Sequence, residues 1–242
     1  MELFSTHIAR VRKFMEERLD VRTFRAFPSR PWPEGGGRDV VLMSDVGVEL
    51  GGPETESYSL ILWTENSSLV NKDTISLIGP ELAEAGSRSI AFGRIVILSI
   101  EGFTEENTFR RCREMEQMRF LLDLKGFMIR AVPQFQREWS RVSRDALSRG
   151  FSLSVLGSSL MRLFRELDYV TGSEIIFITE NEDAIRKIRS LTGDTARIIA
   201  AMNKMAEEMS FDCSECEYRD VCDEAEDLRR MRDACIGNAA RR

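Results

Sequence analysis

Four of the five cysteines in this 242-residue chain, Cys213, Cys216, Cys222 and Cys235, fall within its last 30 residues, and Cys112 stands apart. A disulfide scaffold spreads its cysteines, whereas dense clustering in a chain without a secretory signal points to metal ligation. The first three are separated by two and five residues, and Cys235 follows after twelve more. The two-residue gap lets consecutive thiolates turn onto one centre while the intervening amides face the sulfurs, as iron–sulfur sites require. Structural zinc sites more typically combine two close pairs, and here the second pair is missing. A [4Fe-4S] cluster on these four thiolates is therefore the leading expectation, with zinc as the alternative. Cys235 is the least secure ligand, being expected on a helix over residues 223–234, and Cys112 reads as a small buried hydrophobe.

Arginine supplies a second chemistry. Nine of them lie between residues 110 and 149, a local positive field in a chain of net charge −6. Guanidinium forks match phosphate and carboxylate geometry, so Arg130, Arg137, Arg141 and Arg144, interleaved with Trp139 and Phe135, suggest a site for coenzyme A or an acidic partner. On that reading, Arg137 and Arg141 are replaceable together at little cost to stability. The bland alternative is a solvated helical face, with ion pairs to Glu106, Glu114 and Glu116 for the group at 110–119.

Other chemistries drop out. The one histidine, His7, lies near the chain start, which leaves Ser-His-Asp catalysis and histidine-rich metal centres without support. Neither phosphate-binding glycine motif is present, because Gly35–Gly37 precede a strand instead of following one. The acidic balance argues against a nucleic-acid partner, and no run approaches the roughly 18 apolar residues of a bilayer span. A cytoplasmic location is expected, with no membrane partner.

The elements that must position these groups are set by periodicity. Phe4, Ile8, Val11, Met15 and Leu19 predict an amphipathic helix over residues 3–19, and prolines and glycines make 27–38 a loop. β-rich runs come next at 40–48, 58–64, 74–78 and 89–100. A helical pattern then fills 105–129, with further helices near 137–149, 155–168, 181–191 and 194–209 and one strand at 174–179. This order predicts an α+β fold, a mixed or antiparallel sheet packed with helices and followed by a helical Cys-rich tail. Three parts are expected: 1–38 as helix and loop, 39–209 as the α+β domain, and 210–242 as the metal-binding tail.

Several collinear stretches resemble the acetyl-CoA synthase subunit of the carbon monoxide dehydrogenase/acetyl-CoA synthase complex. They are Val48-Glu49-Leu50-Gly51-Gly52-Pro53, Ile78-Gly79-Pro80-Glu81-Leu82, Trp139-Ser140-Arg141-Val142-Ser143-Arg144-Asp145-Ala146 with Gly150-Phe151, Ile176-Phe177-Ile178-Thr179, and the Cys213-x-x-Cys216 pair. The similarity covers roughly residues 39–222 and resembles that subunit's middle domain with the start of its metal-bearing domain.

The resemblance implies that Cys213 and Cys216 take the first two ligand positions of a [4Fe-4S] cluster, with Cys222 and Cys235 as candidates for the others. It also implies that the stretch from Trp139 to Ala146 faces coenzyme A or a partner subunit. The family's later Cys-Gly-Cys motif, which completes a nickel site, is absent from this sequence. The resemblance therefore points to an iron–sulfur accessory or electron-transfer protein of anaerobic one-carbon metabolism, with no catalytic residue of its own assigned. The partner would be carbon monoxide dehydrogenase, a corrinoid protein or another subunit of that pathway. Two alternatives stand beside it: a subunit of a composite acetyl-CoA synthase active site, and a redox or metal sensor whose cluster or zinc is structural.

Overall fold

The computed structural model describes residues 2–29, 31–36, 39–131, 136–207 and 218–239. Helix α1 (Ser5–Glu16) buries His7, Ile8 and Val11 on one stripe and is followed by a short strand, β1 (Val21–Arg25). Next come β2 (Val46–Leu50), β3 (Ser57–Thr64), β4 (Thr74–Ile78), β5 (Ser89–Ile90) and β6 (Phe92–Ile100). Helix α2 (Thr108–Met118) leads to β7 (Phe127–Ala131), β8 (Trp139–Ser143) and the short α3 (Arg144–Ser148). The chain continues through α4 (Leu153–Phe164), β9 (Val170–Thr179), α5 (Glu182–Leu191), α6 (Thr195–Glu207), α7 (Arg219–Glu224) and α8 (Glu226–Ala239).

The expected α+β class is what forms, with the strands divided between two mixed sheets. The larger has the order β1-β4-β9-β6-β3 and the smaller β5-β2-β8-β7. Strands β3, β4 and β6 are buried along their whole length, because helices cover both faces of the larger sheet. Close packing shows which helix lies where. A Cβ on Gly157 of α4 would strike Ile75 and Phe177, whereas one on Gly93 would press on Ile178 and on Ile185 of α5. Ile178 and Phe177 are neighbours on one strand and point to opposite faces, so α4 and α5 flank the sheet from opposite sides. One continuous apolar core joins both sheets through Val48, Leu50, Phe127 and Val142.

Several elements differ from the sequence expectation, among them the run at 40–48, where the strand begins only at Val46. The helix foreseen over 105–129 stops at Met118, and after a turn at Gly126, whose φ is +79°, the chain enters β7. The helix foreseen near 137–149 is divided: Trp139–Ser143 is a strand that pairs with both β2 and β7, and only Arg144–Ser148 is helical. Strand β1, which no periodicity announced, adds an antiparallel edge to β4. His7 is only 8% exposed, not a loose residue at the chain start.

Candidate functional site

The small sheet determines which side chains of β8 meet solvent. Successive residues of a strand alternate between faces, so Glu138, Ser140 and Val142 point inward while Trp139 and Arg141 share the other face, where Trp139 is half-exposed and Arg141 stays buried. Glu49 of β2 sits directly opposite Arg141 and binds it at 2.7 Å. The register slips between Ile129 and Ala131, and the irregularity at Arg130 carries that guanidinium over the Trp139 ring, 4.9 Å from its centre. Arg141 approaches the same ring at 5.8 Å. Two guanidinium groups gathered at one indole, with a carboxylate alongside, are the chemical content of this face.

The electrostatics are uneven. Partial burial by itself would raise the Glu49 carboxyl, but Arg141, the Trp139 indole N–H and the Arg130 charge together hold it below its ordinary value. Glu49 is therefore an anion that neutralises Arg141, while Arg130 is exposed.

The other two arginines do different work. Arg137 spends its Nη2 on the carbonyls of Gly52, Pro53 and Thr55, and it lines a separate cleft with Glu56, Tyr58 and Arg189. Arg144 donates to the Ser44 carbonyl and its own amide binds Asp45 O, bracing the loop ahead of β2. The structure thus gathers Arg130, Trp139 and Arg141 and leaves Arg137 and Arg144 as braces; Phe135 lies outside the described residues. Arg137 and Arg141 each tie down backbone or a partner charge, so replacing both is expected to cost stability.

At 110–119 the intrahelical reading holds for Arg110, paired with Glu114 at 2.7 Å. Arg119 also pairs with Glu116 but is buried, not solvated. Arg111 lies 4.6 Å over the Tyr169 ring and donates to the Gly102 carbonyl at 2.6 Å.

Behind the tryptophan lies a feature that sequence reasoning missed. Arg94 of β6 forms an ion pair with Glu138, and both are within 1% of complete burial. Arg94 and Arg119 share the Ser59 hydroxyl, and Ser140 donates to Glu138 at 2.8 Å. Burial and the nearby Arg94 pull the Arg119 pKa down, with Glu138 opposing. The available signal was Arg94 itself, a charge in the apolar run Phe-Gly-Arg-Ile-Val-Ile-Leu. Gly51 follows β2 at φ +64°, and a Cβ there would collide with the Glu138 carbonyl, so the loop after β2 packs directly on the entry to β8.

Of the proposed metal ligands, Cys213 and Cys216 lie outside the described residues. Cys222 is buried on α7, and Cys235 lies on α8. Among the described residues no group of three or more His, Cys, Asp or Glu side chains converges as a metal site. The thiol of Cys112 is half-buried and pushed well up by burial, which makes it a packing group and not a nucleophile. No helix among the described residues is long and apolar enough to cross a membrane.

A small mixed sheet that carries the arginine–tryptophan cluster, docked on a larger helix-covered sheet, defines an α+β domain. Residues 36–184 match the family described as the CO dehydrogenase/acetyl-CoA synthase complex beta subunit, and the chain belongs to that family. It is 25% identical over 181 residues to the acetyl-CoA decarbonylase/synthase complex subunit beta 2 of Methanocaldococcus jannaschii, covering 72% of this chain and 36% of the relative. It is 27% identical over 148 residues to the subunit beta of Methanopyrus kandleri, covering 57% of this chain and 29% of the relative. The chain spans about a third of the length of these relatives. The matched region contains the whole Arg130–Trp139–Arg141 face.

Proposed function

We propose that the chain is an accessory component of carbon monoxide dehydrogenase/acetyl-CoA synthase chemistry that receives the phosphorylated end of coenzyme A on the Arg130–Trp139–Arg141 face. The observation that carries this reading is the half-exposed Trp139 ring with two guanidinium groups beside it, Arg130 exposed and Arg141 neutralised by Glu49. A purine ring stacks on an indole, and a phosphate takes a guanidinium fork. The C-terminal thiolates Cys213, Cys216, Cys222 and Cys235 would hold a [4Fe-4S] cluster, the group the resemblance implies, which would supply one-electron transfer; zinc is the alternative occupant.

A second reading has its own support. Val40, Leu42 and Met43 are 69%, 59% and 58% exposed, and the Arg141 guanidinium reaches the Met43 sulfur at 3.2 Å. Apolar side chains bordering arginines suit a protein partner of the same complex, so the face could be completed by another subunit.

Calorimetric titration with coenzyme A tests the first reading. Arg130→Ala should weaken binding by roughly 10- to 100-fold, the worth of one charge-assisted hydrogen-bonding group. Trp139→Leu should weaken it as well, and pantetheine, which lacks the nucleotide, should not bind. Unchanged coenzyme A affinity in both variants would overturn the assignment and leave the partner-docking reading.

A further inference from the structure

A large cleft lies away from the arginine face, between α1, the loop before α2, the start of α6 and the two C-terminal helices. Its volume is about 1040 Å³, and its described lining carries seven carboxylates against two arginines. Both arginines are already engaged, Arg197 by Asp220 at 2.6 Å and Arg230 by Asp227 at 2.9 Å. Among the described residues Glu105 and Glu106 form no ion pair, and Asp194 and Glu224 stand near Arg197, whose guanidinium is bonded to Asp220. The walls between these carboxylates are apolar, formed by Leu3, Phe103, Ile198 and Val221.

A second observation singles out the same place. His7, the one histidine of the chain, lines the cleft, is 8% exposed, and has a buried Nδ1 without a hydrogen-bond partner. A buried polar atom left without a partner carries a cost that a ligand can remove. The carboxylates repel anions, and no set of three or more ligand side chains converges for a metal ion among the described residues.

We infer that this cleft binds an alkylammonium group, whose methylenes would lie on the apolar walls and whose N–H donors would meet the carboxylates and His7. Two sources share that chemistry: a free linear polyamine and a lysine side chain of a partner chain. The cleft has room for either.

His7 supplies its own probe, because a chain with one histidine gives one imidazole signal by NMR without any assignment step. Spermidine is titrated at low salt in one arm and a terminally blocked Gly-Lys-Gly peptide in the other, with the norleucine peptide and potassium chloride as controls. A saturable shift of the His7 ring protons is expected in at least one arm, and the stronger arm identifies the source. The triple variant Glu105→Gln, Glu106→Gln, Asp194→Asn changes exposed residues only and should bind about tenfold more weakly, as loss of several partly screened ion pairs implies. Absence of a saturable shift, an equal shift with the norleucine peptide or the salt, or unchanged affinity in the triple variant would each overturn the inference.

Discussion

Replacing Glu138 by glutamine removes one charge and almost no volume from a place water does not reach. Glu138 is 0% exposed and Arg94 and Arg119 are each 1% exposed, so solvent cannot screen what is left behind. In the native chain Glu138 offsets Arg94 directly and opposes the mutual repulsion of the two guanidinium groups that share Ser59. With glutamine the hydrogen bond from Ser140 has an acceptor of similar shape, but Arg94 becomes a buried cation without its counter-charge. Breaking a buried pair in this way costs about 3–5 kcal/mol. At ~2–4 °C per kcal/mol for a chain of this size, the thermal midpoint should fall by roughly 6–20 °C. Differential scanning calorimetry on wild type, Glu138→Gln and the double variant Arg94→Met, Glu138→Leu separates charge from packing. The double variant should recover most of the loss, because an apolar pair of similar volume needs no desolvation. A fall of less than ~2 °C in Glu138→Gln, or a double variant worse than the single one, would refute the claim that an ion pair supports β8 from behind.

Two other perturbations have defined outcomes. Glu174 is buried, and burial raises its pKa against the opposing pull of Arg12 and the Asn71 amide. Arg12→Ala should therefore cost about 3 kcal/mol near neutral pH. A carboxyl raised in the folded state binds its proton more readily than in the unfolded chain, so the deficit should shrink as pH falls toward the unfolded value of 4.5, measurable by urea unfolding at several pH values. For the tail, protein purified without oxygen should carry about four irons per chain and a broad visible absorption that dithionite bleaches. A colourless protein with a single zinc would replace the cluster by the alternative metal.

The larger sheet was legible because strands buried on both faces become continuous apolar runs, as Ser-Leu-Ile-Leu-Trp and Ile-Val-Ile-Leu are here. Strand β8 was not legible for the converse reason. Its inward face carries Glu138 and Ser140 and its other face Trp139 and Arg141, so buried ion pairing inverted the polar–apolar alternation and left charges at helical spacing. Strand β7 was masked by Leu121, Leu122 and Leu124, which extend the helical pattern of α2 toward Phe127; Gly126 was the break to notice. The site was half visible. Arg130, Trp139 and Arg141 were marked by composition, but Glu49, which decides that Arg141 is neutralised and Arg130 is not, is brought to them only by the β2–β8 register. His7 looked inert near the chain start, and only the packing of α1 against the rest of the fold buries it beside an acidic cleft.

The face at Trp139 can be interrogated without any substitution. The chain has three tryptophans, of which Trp32 and Trp63 are buried and Trp139 is half-exposed beside its arginines. In a nitrogen–proton correlation spectrum recorded during titration with coenzyme A, one indole signal, that of Trp139, should move saturably while the other two stay in place. Three unmoved indole signals at saturating coenzyme A, or movement confined to Trp32 and Trp63, would contradict the assignment of this face.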